Sequence, residues 1–432
     1  MQISDLILYR NFRHGDILED MLNLYDEWTD ETVGGDYKKA QGMLYSILNR
    51  IIELSAAHGF NGNLWHTYLT YLLANNENAY STACEIRGEV DSSVNAIALH
   101  DFAVFKELFA MDIEMLGKAL NIGLAKVILN YKQADEGKIF NTRIRDRICD
   151  LAQMLATAGD AGELMRMTTD FYKEFGVGKF GLHKAFRINH DHDENVIIEP
   201  ITNIMHTYLE DLVGYEIAKQ KLVDNTEAFI DGRPANNCLL FGDAGTGKSS
   251  SIKGILNRYY DKGLRIIEVY KHQFKDLNDV IAQIKGRNYK FILYMDDLSF
   301  EDFEIEYKYL KAVIEGGLEK KPNNILIYAT SNRRHIVREN YHDRAEIRED
   351  MHADDTVQEK LSLASRFGVS IYFGSPSKKE YNNIVKVLAD RYNVSMDEEQ
   401  LLYEANKWEI SHGGLSGRTA QNFINYLLGK QE

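Results

Sequence analysis

Proline is scarce in this sequence and confined to one part of it. The 432-residue chain has four prolines, and none precedes residue 200: Pro200, Pro234, Pro322 and Pro376. Because proline interrupts helices, the proline-free residues 1–199 permit long continuous ones. Apolar residues recur there at helical spacing, as in Met43, Ile47, Ile51 and Leu54. We therefore predict a mostly α-helical N-terminal domain at 1–175, followed by a linker at 176–200.

Cysteine and long apolar runs are also rare. The three cysteines, Cys84, Cys149 and Cys238, are odd in number and form no CxxC pair, which argues against a disulfide framework and a cysteine zinc site. His190 and His192 lack a third ligand at a fixed spacing, so a solvated linker is favoured over a metal site. No run of about 18 apolar residues could span a membrane, and the N-terminus does not resemble a signal peptide. We expect a cytoplasmic protein with no membrane association.

Positive charge is in deficit. The chain has a net charge of −15, and up to residue 199 it has 19 Lys and Arg against 30 Asp and Glu. Nucleic-acid binding relies on clustered Lys and Arg, so the acidic first half predicts a protein partner. Two short basic segments, 271–275 and 333–335, leave a local nucleic-acid contact open, although the overall charge does not support one.

From about residue 201 the pattern changes to apolar strands that alternate with helices. Strands are predicted at 237–241, 264–270, 291–295, 324–329 and 369–373. Continuous apolar strands separated by helices indicate a parallel sheet that is covered on both faces. A capping-box sequence at 377–380 then begins a run of helices that continues to the C-terminus. The predicted fold class is α/β, with a five-stranded parallel core at 201–374 and a helical lid at 375–432.

The most informative motif is the glycine-rich run at 242–249, which fits G-x-x-x-x-G-K-[ST] at every fixed position. A strand precedes it and a helix follows it, so backbone N–H groups and a helix dipole converge on one point. Lys248 would place its charge against the outer phosphates, and Ser249 would supply a hydroxyl for Mg²⁺. The predicted nucleotide-binding residues here are Gly242, Asp243, Ala244, Gly245, Thr246, Gly247, Lys248, Ser249 and Ser250.

Two acids and an amide follow the next core strands. Asp296, at the end of the strand 291–295, is a candidate ligand for Mg²⁺ together with Ser249. Asp297 would then polarise a water for attack on the γ-phosphate. Asn332 follows the strand 324–329 and could reach that water or the γ-phosphate.

Two arginines could complete such a site. Arg366 precedes the last core strand and could project from a subunit edge into a neighbour's nucleotide. It could equally be a surface arginine paired with an acid of the preceding helix. Arg418 opens a lid helix and could lean onto the phosphates, or simply face the solvent.

In this order along the chain, the motifs of residues 201–432 resemble those of the AAA+ ATPases. The resemblance implies ATP and Mg²⁺, a Walker A loop at 242–249, a Walker B strand at 291–297 and sensor 1 at Asn332. It further implies an arginine finger at Arg366, sensor 2 at Arg418 and a segment around Tyr215 that cups the adenine. The segments 296–301 and 413–418 are most similar to a bacterial group of AAA+ ATP-binding proteins of unassigned function.

One departure from the family pattern leaves the activity open. Most AAA+ proteins have Asp-Glu in Walker B, whereas this chain has Asp296-Asp297, and a general base must come within hydrogen-bond distance of its proton. Glu301 could substitute for the shorter Asp297. The first hypothesis is an ATPase that couples hydrolysis between subunits of a homo-oligomer to a conformational change of a partner, as a remodeller or loader does. The alternative is an ATP-gated binding or signalling module with little or no hydrolysis. A small-molecule kinase is disfavoured because the finger and sensor 2 would have no role there.

Overall fold

The computed structural model describes residues 3–29, 36–89, 91–133, 141–202, 204, 207–300, 306–315, 322–332 and 363–430. The chain divides into two compact units, Met1–His183 and Lys184–Glu432. Among the described residues, a hydrophobic core runs through the first unit, and the second unit has separate cores in its sheet domain and in its C-terminal helices. None of the helices in these ranges is long and apolar enough to cross a membrane.

The first unit is helical, as predicted. Its helices are α1 (Gly15–Thr29), α2 (Tyr37–His58), α3 (Leu64–Asn75), α4 (Ala79–Arg87), α5 (Ser93–Phe109), α6 (Ile113–Ala119), α7 (Thr142–Ala156), α8 (Ala161–Phe175) and α9 (Gly178–Leu182). Asp36 and Asn63 cap α2 and α3 by accepting backbone N–H groups of the first turn. The core of this unit is rich in aromatic rings: Tyr9, in the segment before α1, is edge-on to Phe102 of α5 at 5.4 Å between centroids.

The second unit is built on a seven-stranded sheet. Its strands are β1 (Ala185–His190), β2 (Val196–Pro200), β3 (Cys238–Gly242), β4 (Leu264–Glu268), β5 (Lys290–Met295), β6 (Ile325–Ser331) and β7 (Val369–Phe373). The strand order is β2-β1-β4-β5-β6-β3-β7. All neighbouring strands are parallel except β1 and β2, which pair antiparallel.

Helices cover this sheet and complete the unit. They are α10 (Glu216–Ile230), α11 (Lys248–Tyr259), α12 (Leu277–Ile284), α13 (Glu306–Glu315), α14 (Lys378–Arg391), α15 (Glu398–Ser411) and α16 (Gly417–Leu428). The last three form a C-terminal lid with its own core, which includes the fully buried Tyr381 and Ile424. Ser377 and Glu380 form the predicted capping box at the start of α14.

The α/β fold class is confirmed, and the sheet contains all five predicted strands, but it is larger than predicted. The residues 176–200 are not a linker over most of their length, because they contain α9, β1 and β2. In β1, Phe186 lies opposite Ile267 of β4 and is fully buried, so this strand belongs to the core sheet. The sequence conceals the hairpin because its turn is polar: the Asp191 carboxylate accepts the N–H groups of Asp193 and Asn195. The polar residues that suggested a solvated linker therefore form the hydrogen bonds of the turn between β1 and β2.

Candidate functional site

The glycine-rich loop joins the buried strand β3 to the first turn of α11. Gly242 has a φ of +135°, and a Cβ there would lie 2.1 Å from the carbonyl oxygen of Phe373 in β7. Gly245 has a φ of +76°, and a Cβ there would lie 3.0 Å from the Cβ of Arg418. Both positions therefore need glycine, since a side chain would be strained and would clash. The loop is held between the sheet on one side and the lid on the other.

A cavity of 540 Å³ lies over this loop, within the size range of small-molecule sites. The predicted residues that line it are Ala244, Gly245, Thr246, Gly247, Lys248, Ser249, Ser250, Asp296, Asp297, Asn332, Arg418 and Tyr215. Gly242 and Asp243 are not among the lining residues, but their carbonyl groups accept hydrogen bonds from Lys248. The lining also includes residues for which no role was predicted, namely Asp211, Thr330, Ile384, Leu388, Gly417, Gln421 and Asn422.

Lys248 is 7% exposed, and its ammonium is bonded entirely to oxygen atoms of the protein. It donates to the carbonyl groups of Gly242 at 2.9 Å and Asp243 at 2.6 Å. It also donates to the Asn332 Oδ1 atom at 3.0 Å. Burial lowers the pKa of Lys248, and the surrounding carboxylates only partly oppose this effect. An anion entering the cavity could take over some of these hydrogen bonds.

Ser249 and Asp296 bring two oxygen donors together beside the loop. The Ser249 Oγ atom donates to Asp296 Oδ1 at 2.7 Å, and the Thr330 hydroxyl donates to the same oxygen at 2.6 Å. Burial alone would raise the pKa of Asp296, but hydrogen bonds, first from Thr330 and then from Ser249, outweigh it and lower the pKa. A hydroxyl and an ionised carboxylate are ligands that suit Mg²⁺, so the residues fit this ion.

Asp297 lies two residues past the end of β5 and lines the cavity. Its Oδ1 atom accepts a hydrogen bond from Asn332 Nδ2 at 2.7 Å. Because Asn332 also accepts from Lys248, the three side chains form one connected chain of hydrogen bonds. Glu301, the predicted substitute for Asp297, lies outside the described residues, as does the basic segment 333–335.

The lid contacts the loop directly. The backbone N–H of Arg418, in the first turn of α16, donates to the Gly245 carbonyl at 3.1 Å. Ser416 caps α16 by accepting the N–H of Thr419 at 3.0 Å. The Arg418 side chain is exposed and lines the cavity, so the structure brings it together with the loop.

Tyr215 forms part of the cavity wall. It adopts a left-handed conformation with a φ of +60°, and its ring centroid lies 5.5 Å from that of Phe373. Burial raises the pKa of Tyr215 to about 12. With Leu212 and Val213, and with Ile384 and Leu388 from α14, it gives this end of the cavity an apolar surface.

Arg366 does not line this cavity, unlike the other catalytic candidates among the described residues. Its guanidinium forms an ion pair with Glu315, the last residue of α13. The structure therefore places it next to an acid, as in the alternative stated from the sequence.

Sequence reasoning missed Thr330, Glu315 and the lid residues of the lining. Thr330 had a detectable signal, because it is a polar residue near the end of the apolar strand β6, two positions before Asn332. Ile384 and Leu388 had none, because their place in the wall depends on how the lid packs over the core. The loop, the two acids, the amide and the lid arginine meet around one cavity, as the AAA+ resemblance implies.

Comparisons with known proteins give a family and several structural likenesses. Residues 182–431 match the model of a family described as "Protein of unknown function (DUF815)". A point mutant of RuvB from Thermotoga maritima is 17% identical with a TM-score of 0.37, and the similarity covers 51% of this chain and 65% of that one, just under two thirds. A structure titled the Thermotoga maritima RuvB Holliday junction branch migration motor is 14% identical, covering 51% and 72%, with a TM-score of 0.33. PCH-2 of C. elegans is 18% identical, covering 51% and 69%, also with a TM-score of 0.33. No curated protein matches the chain.

Proposed function

The chain belongs to the family described as "Protein of unknown function (DUF815)", and from the geometry of its own site we propose that it is an ATPase that acts between subunits of a homo-oligomer. One observation carries the proposal. Lys248, the two carboxylates and Arg418 converge on one cavity, whereas Arg366 lies outside it, paired with Glu315. A complete site would then need an arginine from a second copy of the chain.

Each group has a part in binding ATP. Backbone N–H groups of the loop at 242–249 and the Lys248 ammonium receive the phosphates, which replace the protein oxygens that Lys248 now contacts. Ser249 and Asp296 would hold Mg²⁺, and the ion would supply positive charge to the outer phosphates. The apolar end of the cavity beside Tyr215 receives the base. Arg418 contacts the phosphates from the lid and so links lid position to the nucleotide state.

Hydrolysis follows from the position of Asp297. Its carboxylate accepts a proton from water as the water oxygen bonds to the γ-phosphorus. The bond from that phosphorus to the β–γ bridging oxygen breaks, and ADP leaves with the electron pair. Asn332 holds the carboxylate, and Arg366 of a neighbouring subunit stabilises the charge of the transition state, an effect worth about 10³–10⁵ in rate.

We propose that the acidic helical unit binds a protein partner and that ATP turnover changes this partner's conformation, in the manner of a remodeller or loader. Net negative charge disfavours nucleic acid as its ligand. The cysteines of the described ranges are free, which fits the reducing cytoplasm we propose as the location.

A second function, an ATP-gated binding module with little turnover, is favoured by one observation. The short Asp297 side chain is already bonded to Asn332. Such a protein would bind ATP tightly and display its N-terminal unit without hydrolysis.

The steady-state ATPase rate, measured against protein concentration, tests the first proposal. We expect the rate per subunit to rise with concentration and to fall by about 10³-fold or more in Arg366→Ala. Arg233→Ala is the matched control, since Arg233 is an exposed arginine of the same unit and pairs with Asp231. Tight ATP binding without turnover in the assembled protein would favour the gated module instead.

A further inference from the structure

We infer that Thr330 is a positioning residue for hydrolysis: its buried hydroxyl holds Asp297 where the carboxylate can take the proton of the attacking water. The inference rests on the proposed function, because it assigns that role to Asp297. It concerns the difficulty that the sequence raises, namely how an aspartate serves where most AAA+ proteins have the longer glutamate.

The Thr330 hydroxyl connects both acids. It is 1% exposed at the end of β6. It donates to Asp296 Oδ1 at 2.6 Å and accepts the backbone N–H of Asp297 at 2.9 Å. One hydroxyl therefore fixes the side chain of the first acid and the backbone of the second.

The backbone of Asp297 needs such support. Its φ is +50°, in the left-handed region that non-glycine residues rarely adopt, and strain of this kind persists only where the surroundings hold it in place. The next residue is tied to the same strand, because the Leu298 N–H donates to the Thr330 carbonyl at 2.7 Å. The Ser331 hydroxyl in turn donates to the Leu298 carbonyl at 2.8 Å. The end of β6 thus holds the backbone that follows β5.

These hydrogen bonds to the backbone also fix the position of the Asp297 carboxylate. Asp297 Oδ1 is 2.7 Å from Asn332 Nδ2, and Asn332 Oδ1 is 3.0 Å from Lys248 Nζ. Since Lys248 marks the outer phosphates, one amide group separates Asp297 from the place where the γ-phosphate would bind. Aspartate is one methylene shorter than glutamate. We infer that the fixed left-handed backbone of Asp297 compensates by moving its carboxylate toward the reacting water.

The hydroxyl is not needed to form the strand. Valine has nearly the same shape as threonine and is favoured in strands. The same unit has a second buried threonine hydroxyl at Thr226, which donates to the Leu222 carbonyl at 2.7 Å and lies 3.0 Å from the Tyr328 hydroxyl. Thr226 does not line the cavity, so it provides a matched control.

The kinetic test compares Thr330→Val, Thr330→Ser and Thr226→Val with the wild type in the full-length protein. We expect Thr330→Val to lower kcat by about 10- to 100-fold, because a small displacement of a reacting group has an effect of this size. The Kd for ATP, measured by equilibrium binding, should change less than threefold. Thr330→Ser should restore most of kcat, and Thr226→Val should leave it unchanged even if thermal stability falls. An unchanged kcat in Thr330→Val, or an equal loss in Thr330→Ser, would overturn the inference.

Amide hydrogen exchange tests the hydrogen bond from the Asp297 N–H to the Thr330 hydroxyl, and it does not require ATP turnover. The Asp297 amide should exchange at least tenfold faster in Thr330→Val than in the wild type or in Thr226→Val, because its acceptor is gone. Equal exchange in all three proteins would show that Thr330 does not hold Asp297. A wild type that binds ATP without turnover, or an Asp297→Asn variant that hydrolyses normally, would instead contradict the proposed function, and the exchange comparison would still decide the positioning role.

Discussion

At the scale of single residues, the ion pair of Arg366 with Glu315 would have to break when the proposed oligomer forms its active site. An arginine that acts on a neighbour's nucleotide must first leave its partner in its own subunit. Glu315 is 42% exposed and Arg366 is 24% exposed, so solvent weakens their attraction. Glu315 therefore competes with the neighbour's phosphate for the Arg366 guanidinium, but it binds too weakly to prevent Arg366 from moving to the phosphate.

We expect Glu315→Gln to raise the ATPase rate about two- to fivefold at protein concentrations below full assembly, because exposed ion pairs contribute roughly 0.2–1 kcal/mol. The measurement is the rate against concentration, with Glu306→Gln at the other end of α13 as the control. A lower rate in Glu315→Gln would mean that Glu315 orients the arginine for its neighbour rather than competing for it.

The burial of His58 predicts that the stability of the first unit depends on pH. Burial, with smaller effects of His14 and Arg13, lowers the pKa of His58 to about 4, and its ring stacks on Phe60 at 5.2 Å. Between pH 6.5 and 4 the unfolded state binds a proton that the folded state excludes, so stability falls as the pH falls through this window. The full difference corresponds to roughly 3 kcal/mol.

We expect amides of α2 and α3 to lose protection between pH 7 and pH 5 in the wild type, after correction for intrinsic exchange rates. His58→Leu should reduce this loss, while His66, whose pKa burial also lowers, retains a part of it. An identical loss in both proteins would show that His58 does not cause the effect.

At the scale of elements, the five core strands could be predicted because each is a continuous apolar run between helices. The hairpin of β1 and β2 could not, because its polar turn hides two short strands whose pairing depends on β4. The positions of Asp296, Asp297 and Asn332 could be predicted, because each follows an apolar strand and parallel strands bring such ends to one edge of the sheet. The hydrogen bonds of Thr330 depend on the register of β5 against β6, which local sequence does not determine.

The close approach of the glycine-rich loop to β7 makes an element-scale prediction. Gly242→Ala would place a Cβ 2.1 Å from the Phe373 carbonyl oxygen at a φ of +135°. We expect it to lower the melting temperature markedly, since backbone strain alone costs about 1–3 kcal/mol and the clash adds to it. Gly286→Ala is the control, because a Cβ there meets no atom within 4 Å. Equal melting temperatures for the two variants would contradict the observed contact.

At the scale of the whole molecule, the protein consists of an acidic helical unit and a unit that carries the proposed ATP site. Within the second unit, the lid helices cover a cavity whose base is the loop between β3 and α11. In the proposed function, Arg366 of another copy supplies an arginine to this cavity. The oligomer is thus part of the proposed active site, and the central claim concerns two subunits at once.

Mixing two inactive variants tests this claim most directly. Asp297→Asn keeps Arg366 but disables its own site, while Arg366→Ala keeps its own site but has no arginine to supply. Each variant alone should hydrolyse ATP slowly, and the account predicts that an equimolar mixture recovers a substantial fraction of the wild-type rate. A mixture no faster than the average of its components, with both variants shown to co-assemble, would contradict hydrolysis between subunits.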